Sequence, residues 1–398
     1  MSTAQGLGTS RLQHSAVLLG ISTAAMVALF ITSIAKDFTL STKELWSNDF
    51  QGFFLAAHLF ARRMNPYTIS NQLQAYAHYV PHIHGIGHVL FADAPLCLPV
   101  LLPFVSIPFR LGYLVLALLE TAAFIAGLLF AIGSLRPRPF LTCCLLLGLP
   151  PVGVLILTGQ WDGLTVLGLG IHFFLLQRKR IFSSGFVLGI TACFALPHLI
   201  FGYAIYFLVR MRKPAVLSLA CGVLASAVAS IALTGIPIVL SFIVSVLTIQ
   251  SHAFETGFAE ILGHLLPATA ADVLLACCIT AAAIFFGRKA RDEQYLLLAT
   301  CVLALNILLN PHFFGQDLAI PLVAAAPLLY RALPWIANHA AQFVGTGILV
   351  IALLALITAT QPALLPLQFS ALIISTAVTL FIAFSSTHRE HRTAVIPS

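Results

Sequence analysis

One carboxylate, near the start of an otherwise apolar chain, has the residue type and setting that best suit chemistry. Asp49 follows Asn48 and precedes Phe50 just beyond the first hydrophobic segment, and Arg62 and Arg63 lie later in the same polar stretch. A carboxylate at a membrane surface can remove a proton from a hydroxyl group, and guanidinium groups can neutralise a phosphate. The alternative is that Asp49 only caps the helix that begins at Phe50.

Three further polar segments interrupt the apolar sequence. They are Gly159-Gln160-Trp161-Asp162-Gly163, Leu196-Pro197-His198, and the run from Asn310-Pro311-His312 to Asp317. Ionisable groups at membrane depth are costly and usually mark functional sites. For Asp162 the alternative is a turn that exposes the side chain to water. Pro197 opens a helix, so we expect a cavity or a ligand to satisfy the freed backbone carbonyls and His198.

Composition places these segments in a membrane protein. Hydrophobic residues make up 60% of the chain and charged residues 8%, and the mean hydropathy is +1.00, whereas soluble domains carry about 25% charged residues. Apolar runs of spanning length recur throughout. We predict an all-α polytopic membrane protein with about 10–13 transmembrane or re-entrant helices. It would form a single domain over residues 1–398, with a catalytic module over about 15–335 and C-terminal helices over about 341–386.

Charge orients the predicted helices. Most basic residues fall between apolar runs, at positions 136–138, 178–180, 210–213, 288–291, 331 and 389–392. Positive residues favour the cytoplasmic side, so these connections should lie inside and Asp49 outside. The net charge of +7 then reflects orientation and contact with the lipid bilayer, and it does not indicate nucleic-acid binding. We expect a multi-pass membrane protein with its site on the outer face.

Two large outer loops and one broken helix pair should position the polar segments. The first loop, over about 36–93, is predicted to carry a helix over 50–64 that lies on the bilayer surface through Phe53, Phe54, Ala57 and Phe60. The second loop covers about 236–268. The segment 95–108 should be a re-entrant or broken helix, and 181–210 should be two half-helices. Full spans are expected at about 15–35, 111–133, 139–157, 161–177, 215–233, 270–287, 294–309, 318–333, 341–360 and 369–386.

The polar segments, in this order, resemble the family 87 glycosyltransferases, which are membrane enzymes of the C-type superfamily that use polyprenyl-phosphate sugars. The resemblance covers about residues 45–335. It is carried by Asp49-Phe50, Ala56-Ala57, Arg62, Asn65-Pro66-Tyr67, Ala94-Pro95 to Phe104, Gly159-Gln160, and Asn310-Pro311-His312 to Asp317. The chain departs from the family pattern at two places. Leu196 stands where a lysine commonly precedes the proline, and Asp93 stands where a tyrosine usually precedes the two prolines.

The resemblance implies a hexosyltransferase of the cell envelope. A mannose-like sugar would move from a polyprenyl-phosphate donor to a hydroxyl group of a glycolipid or glycan acceptor at the outer face of the membrane. Asp49 would be the general base, and the reaction would invert the anomeric carbon. Substrate contacts would come from Arg62, Arg63, Tyr67, Gln160, Asp162, His198, His312 and Asp317. No cofactor is expected and no residue is assigned to a metal.

Two other interpretations of the polar residues are open. A transporter or lipid flippase would use Asp162, His198 and Glu120 as a coupling site at the middle of the membrane. Four histidines in the first loop could hold a metal ion, although a solvated histidine-rich loop is the more ordinary explanation. They are His78, His82, His84 and His88.

Overall fold

The computed structural model describes most of the chain up to residue 338. The described residues are 40–133, 149–194, 197–211, 213–248, 266–289, 291–310 and 315–338, with isolated positions between 24 and 39 and between 142 and 147. Within them the regular secondary structure is helical and contains no strands. The predicted all-α fold is therefore confirmed. The expected spans at 341–360 and 369–386 lie outside the described residues.

Fourteen helices of the described part, α1 to α14, provide the framework. In chain order they are Thr42–Trp46, Phe50–Ala61, Ile69–Tyr79, Cys97–Leu101, Phe109–Ile132, Pro150–Thr158, Asp162–Gln177, Ile181–Phe194, Pro197–Met211, Lys213–Thr234, Ile236–Thr248, Ala268–Lys289, Tyr295–Leu308 and Leu322–Asn338. Short 3-10 turns cover Leu102–Ser106, Asp292–Gln294 and Gly315–Ala319. Three helices of the described part are long and apolar enough to cross a membrane, namely α5, α10 and residues 270–289 of α12. Other apolar helices are shorter, as in a polytopic protein with broken helices.

Glycines bring α5 and α7 into close contact. A Cβ atom on Gly127 of α5 would lie 2.5 Å from the carbonyl oxygen of Val166 in α7. Gly163 and Gly170 of α7 make equally close approaches to the backbone of α5. Small residues let helix backbones approach closely in a membrane, where packing replaces the hydrophobic driving force. This contact fixes the start of α7, and with it Gln160 and Asp162, against α5.

The segment 181–210 forms two helices, as predicted. A Cβ on Gly185 of α8 would lie 3.2 Å from the ring of Phe207 in α9, so the two helices run antiparallel as a hairpin. With 14 residues, α8 is about 21 Å long. That is less than the hydrocarbon thickness of about 30 Å. Helix α8 is therefore shorter than a full span, as expected of a half-helix.

Protein groups satisfy the backbone around the break between α8 and α9. The Cys97 thiol lies 3.0 Å from the carbonyl oxygen of Phe194, which it can donate to. The Asn306 amide donates to the Leu199 carbonyl at 2.7 Å and accepts the Gly202 N–H at 2.7 Å. The expectation that a cavity or a ligand satisfies His198 and the carbonyls freed by Pro197 stays a prediction, because the His198 side chain lies outside the described residues. Buried polar backbone is costly unless it is paired, and here side chains of α4 and α13 pair it.

Two of the basic connections in the described part of the chain lie at the same end of the bundle. Arg210, at the end of α9, forms an ion pair with Asp292, which follows α12. The connection at 178–180 lies at the same end because α8 begins there and runs antiparallel to α9. Asp162, at the opposite end of α7, starts that helix beside the first polar loop. Asp162 therefore lies at the end of α7 away from these two basic connections.

Several predicted elements differ from those observed. Helix α2 ends at Ala61 and is buried on all sides along most of its length, so it packs inside the protein and does not lie on the bilayer surface. Helix α3 was not predicted. The expected span over 139–157 is interrupted because Pro150 and Pro151 begin a new helix. The second outer loop contains α11, which follows α10 directly after the left-handed turn at Gly235.

The close contact between α5 and α7 gives a test of this packing. Gly127→Val should separate the two helices and lower the free energy of unfolding by about 1–3 kcal/mol. Ala122→Val is the matched control, because Ala122 is exposed on the same helix. Unfolding of the purified protein in detergent would measure both. Equal stability of the two variants would contradict the close contact.

Candidate active site

An aromatic cluster fixes the start of α2 against α5. Trp46 stacks on Phe109 with ring centroids 3.6 Å apart. The fully buried Phe50 lies edge-on to Phe104 at 5.5 Å. A Cβ on Gly112 of α5 would lie 2.9 Å from the Phe50 ring, so glycine is required for this approach. Aromatic pairs of this kind bury large areas and favour tilted or offset geometries. Asp49, next to Phe50, is therefore held rigidly.

Asp49 meets the turn between α6 and α7. Its backbone N–H donates to the carbonyl oxygen of Thr158 at 3.1 Å, and its carboxylate Oδ2 accepts a hydrogen bond from Gln160 Nε2 at 2.6 Å. Gly159 adopts φ +68°, a left-handed conformation that costs glycine little. That conformation turns Gln160 toward Asp49. Two polar segments far apart in the sequence therefore meet directly.

The carboxylate of Asp49 does not cap its own helix. Asp49 occupies the position before α2, yet among the described residues its side chain makes no capping hydrogen bond. The capping alternative is therefore wrong, because the carboxylate is directed to Gln160. An uncapped helix start leaves the Asp49 side chain available for another task.

Burial changes the acidity of Asp49. Loss of solvent raises the pKa of its carboxyl group, and the hydrogen bond from Gln160 lowers it by a smaller amount. The Asp49 side chain is half-buried, so it is partly shielded from water and still accessible from outside the protein. A carboxylate with a raised pKa is a stronger base than an exposed one and remains ionised above that pKa.

Asp162 is buried and paired with a second acid. It is 2% exposed, so the alternative that the turn exposes it to water is wrong. Its side chain is hydrogen-bonded to that of Asp317, which is 1% exposed. Two carboxylates can form such a bond only when they share a proton. The structure thus brings Asp162 and Asp317 together in the neighbourhood of Asp49, whose charge acts on Asp162.

Glu120 has a structural task. Its carboxylate Oε2 accepts a hydrogen bond from the N–H of Leu164 at 3.2 Å and is also bonded to the N–H of Gly163. It therefore satisfies the first turn of α7, whose donors have no partner within the helix. This engagement removes Glu120 from the coupling site of the transporter interpretation. The backbone of His198 lies in the first turn of α9, and its side chain is outside the described part of the chain.

Asp93 is a buried acid that the sequence reading did not include among the site residues. It is 8% exposed and lies close enough to Asp49 and Asp162 for their charges to act on it. Tyr67, a predicted site residue, donates from its hydroxyl to the backbone carbonyl of Asp93 at 2.7 Å. The signal that could have identified Asp93 was its position directly before Ala94 and Pro95 in an apolar stretch.

The two predicted arginines lie away from this cluster. Arg62 and Arg63 follow the last residue of α2, whereas Asp49 precedes the first, and 12 helical residues separate them. The separation is roughly 20 Å along the helix axis. Both arginines are exposed, and the Arg62 guanidinium lies over the Tyr79 ring at 5.3 Å. The structure therefore does not bring them to Asp49. His312 and Leu196 lie outside the described residues.

The histidine-rich loop does not form a metal site in the described part of the chain. The four side chains His78, His82, His84 and His88 are exposed. Among the described residues, no group of three or more His, Cys, Asp or Glu side chains could hold a metal ion. The cluster around Asp49 is thus a set of carboxylates with amide and backbone donors.

Comparison with known proteins identifies one family. The family model described as glycosyltransferase family 87 matches residues 91–311, which is more than half of the chain. The match includes Asp93, Gln160 and Asp162 and begins after Asp49. No curated protein and no solved structure matches the chain.

The hydrogen bond between Gln160 and Asp49 can be tested by titration. Gln160→Met keeps the side-chain length but removes the donor, so the ionised form of Asp49 loses stabilisation and its pKa should rise. Infrared titration of protein with isotope-labelled aspartate would follow this change. Gln177→Met is the matched control, because Gln177 donates to the Ala131 carbonyl at the other end of α7. An unchanged or lowered pKa in Gln160→Met would contradict the assigned bond.

Proposed function

The chain belongs to glycosyltransferase family 87, and from this membership we propose that it transfers a mannose-like hexose from a polyprenyl-phosphate donor to an acceptor hydroxyl. The acceptor would be a glycolipid or a glycan at the outer face of a bacterial inner membrane. The observation that carries the proposal is the carboxylate of Asp49, uncapped, half-buried and held by Gln160. Its position at the end of the bundle away from the basic connections supports a site on the outer side.

In the proposed reaction Asp49 is the general base. Gln160 occupies Oδ2, so Oδ1 would receive the proton of the acceptor hydroxyl. The acceptor oxygen forms a bond to the anomeric carbon while the bond from that carbon to the phosphate oxygen breaks. The polyprenyl phosphate leaves with the electron pair and needs no general acid, because phosphate is a weak base. A single displacement of this kind inverts the anomeric carbon.

The rigid setting of Asp49 would contribute to the rate. A base must lie within about 3 Å of the proton it removes, and a small displacement is costly. The buried aromatic cluster around Phe50 and the backbone bond to Thr158 restrict such displacement. The raised pKa of Asp49, caused by burial, would increase its strength as a base. Because the ionised form is the active one, transfer should increase as the pH rises through that pKa.

The phosphate partner would be a group other than the two arginines of the first loop. Arg62 and Arg63, at the distant end of α2, could neutralise a phosphate near the lipid headgroups but not one at the reacting carbon. His198 and His312 are the better candidates, since each adjoins a polar segment that leads to the cluster. Leu196 stands where the family commonly has lysine, so a histidine would supply the charge that the lysine supplies elsewhere.

Asp49→Asn tests the proposal. The amide keeps the size and hydrogen-bonding capacity of the side chain but cannot accept the proton, so transfer should fall roughly 10²–10⁴-fold. The assay would use purified protein in lipid nanodiscs, labelled polyprenyl-phosphate mannose as donor and a bacterial lipid extract as acceptor.

Asp292→Asn is the matched control for this variant. It makes the same chemical change at an exposed ion pair at the opposite end of the bundle, so transfer should persist. Retention of more than about a tenth of the wild-type rate by a folded Asp49→Asn protein would contradict the role of Asp49 as base.

A further inference from the structure

Two glutamine side chains hold residues 87–91 against the helices of the first loop by hydrogen bonds. These residues are called the strapped segment below. Gln51 of α2 accepts the N–H of Val89 at 2.8 Å and donates to the Gly87 carbonyl at 3.2 Å. Gln72 of α3 accepts the N–H of Phe91 at 2.9 Å and donates to the carbonyl of the same residue at 3.2 Å. Buried amide side chains that pair both donor and acceptor in this way fix the backbone they contact. Residues 87–91 are therefore held firmly against α2 and α3.

The strapped segment brings Asp93 to the first turn of α2. A Cβ on Gly52 would lie 3.2 Å from the carbonyl oxygen of Val89, so the segment passes close to the helix one turn beyond Asp49. The ring of Phe91 lies 6.2 Å from that of Phe53. The hydroxyl of Tyr67 then holds the Asp93 carbonyl. The position of Asp93 beside Asp49 is thus determined by several contacts and is part of the fold.

The Asp93 carboxyl group is buried, and it accepts a hydrogen bond from its own backbone N–H. It is 8% exposed, and its Oδ1 atom has no hydrogen-bond partner among the described residues. The titratable groups that face it are Asp49 at the start of α2, Asp162 of α7, Cys97 of α4 and Tyr67 of the loop. None of these four groups carries a positive charge. An ionised carboxylate in such a setting would be strongly unfavourable, and the group reduces that cost by keeping its proton.

We propose that Asp93 is a positioning residue that stays protonated while the enzyme works, leaving Asp49 as the ionised member of the pair. Ionisation of Asp93 at higher pH would then weaken donor binding, because a second negative charge beside Asp49 repels the phosphate of the donor. This inference rests on the proposed function. It concerns the charge of the pair and adds no proton transfer to the reaction.

The pKa of Asp93 determines how the charge of the Asp49–Asp93 pair changes with pH. Burial, followed by the charges of Asp49 and Asp162, raises the pKa of Asp93 to about 7. Below that pH Asp93 is neutral, and above it the pair carries two negative charges. The two groups influence each other, so the titration belongs to the pair. Asp49 can lose its proton first because it is half-buried and accepts the bond from Gln160.

An infrared titration tests the charge state without any substrate. The purified full chain in detergent should show the carbonyl band of a protonated carboxyl group that disappears as the pH rises through about 7. Asp93→Asn and Asp93→Leu should both lack this component, and the leucine variant serves if the asparagine variant does not fold. Asp292→Asn should retain it. The Asp162–Asp317 pair contributes its own carbonyl band to every variant, so the comparison is of amplitude. A band that titrates with undiminished amplitude in both folded Asp93 variants overturns the inference.

A kinetic measurement connects the charge state to donor binding. With polyprenyl-phosphate mannose as donor, the wild-type KM for the donor should rise as the pH passes through the transition and level off above it. In Asp93→Asn this rise should be absent. A rise that remains in Asp93→Asn, or a folded Asp93→Asn protein that transfers no sugar at any pH, contradicts the inference. If the wild-type protein transfers no sugar, the proposed function fails, whereas the infrared result still decides the state of Asp93.

Discussion

The hydrogen bond from Gln160 to Asp49 is the interaction on which the rest of the site depends. It joins residues 111 positions apart in the sequence and links the first polar loop to the turn that starts α7. The bond is possible because Gly159 adopts a left-handed conformation and because the aromatic cluster around Phe50 fixes the start of α2. Without this hydrogen bond, the half-buried carboxylate of Asp49 would lose a neutral donor that stabilises its ionised form.

Carboxyl groups gathered beside lipid need a compensating arrangement, and the described structure provides most of it. Asp162 shares a proton with Asp317, and Glu120 satisfies the first turn of α7. Asp93, Glu120 and Asp162 each keep one buried oxygen without a hydrogen-bond partner in the described part of the chain. Purely structural requirements do not explain why four separate segments bring acids to one place, whereas sugar transfer requires a base in a shielded setting.

The sequence predicted the features that depend on local chemistry. Proline in an apolar run identified the broken pair α8 and α9, and polar residues in apolar surroundings identified Asp49, Gln160, Asp162 and Asp317. Features that depend on tertiary packing were missed. The burial of α2 on all sides could not be read from its amphipathic pattern, because α5 and the strapped segment cover the face expected to meet lipid. Asp93 was not predicted as a site residue for the same reason, because it is the hydrogen bonds of Gln51 and Gln72 that bring its segment toward Asp49.

The stereochemistry of the product tests the central claim most directly. If Asp49 removes the proton of the acceptor in a single displacement, the new glycosidic bond must have the anomeric configuration opposite to that of the donor. Nuclear magnetic resonance of the product, formed from a polyprenyl-phosphate mannose of defined configuration, would determine this. Inversion is the result that a base at Asp49 predicts. A product with the configuration of the donor would contradict the account, because a single displacement on the face opposite the departing phosphate cannot retain that configuration.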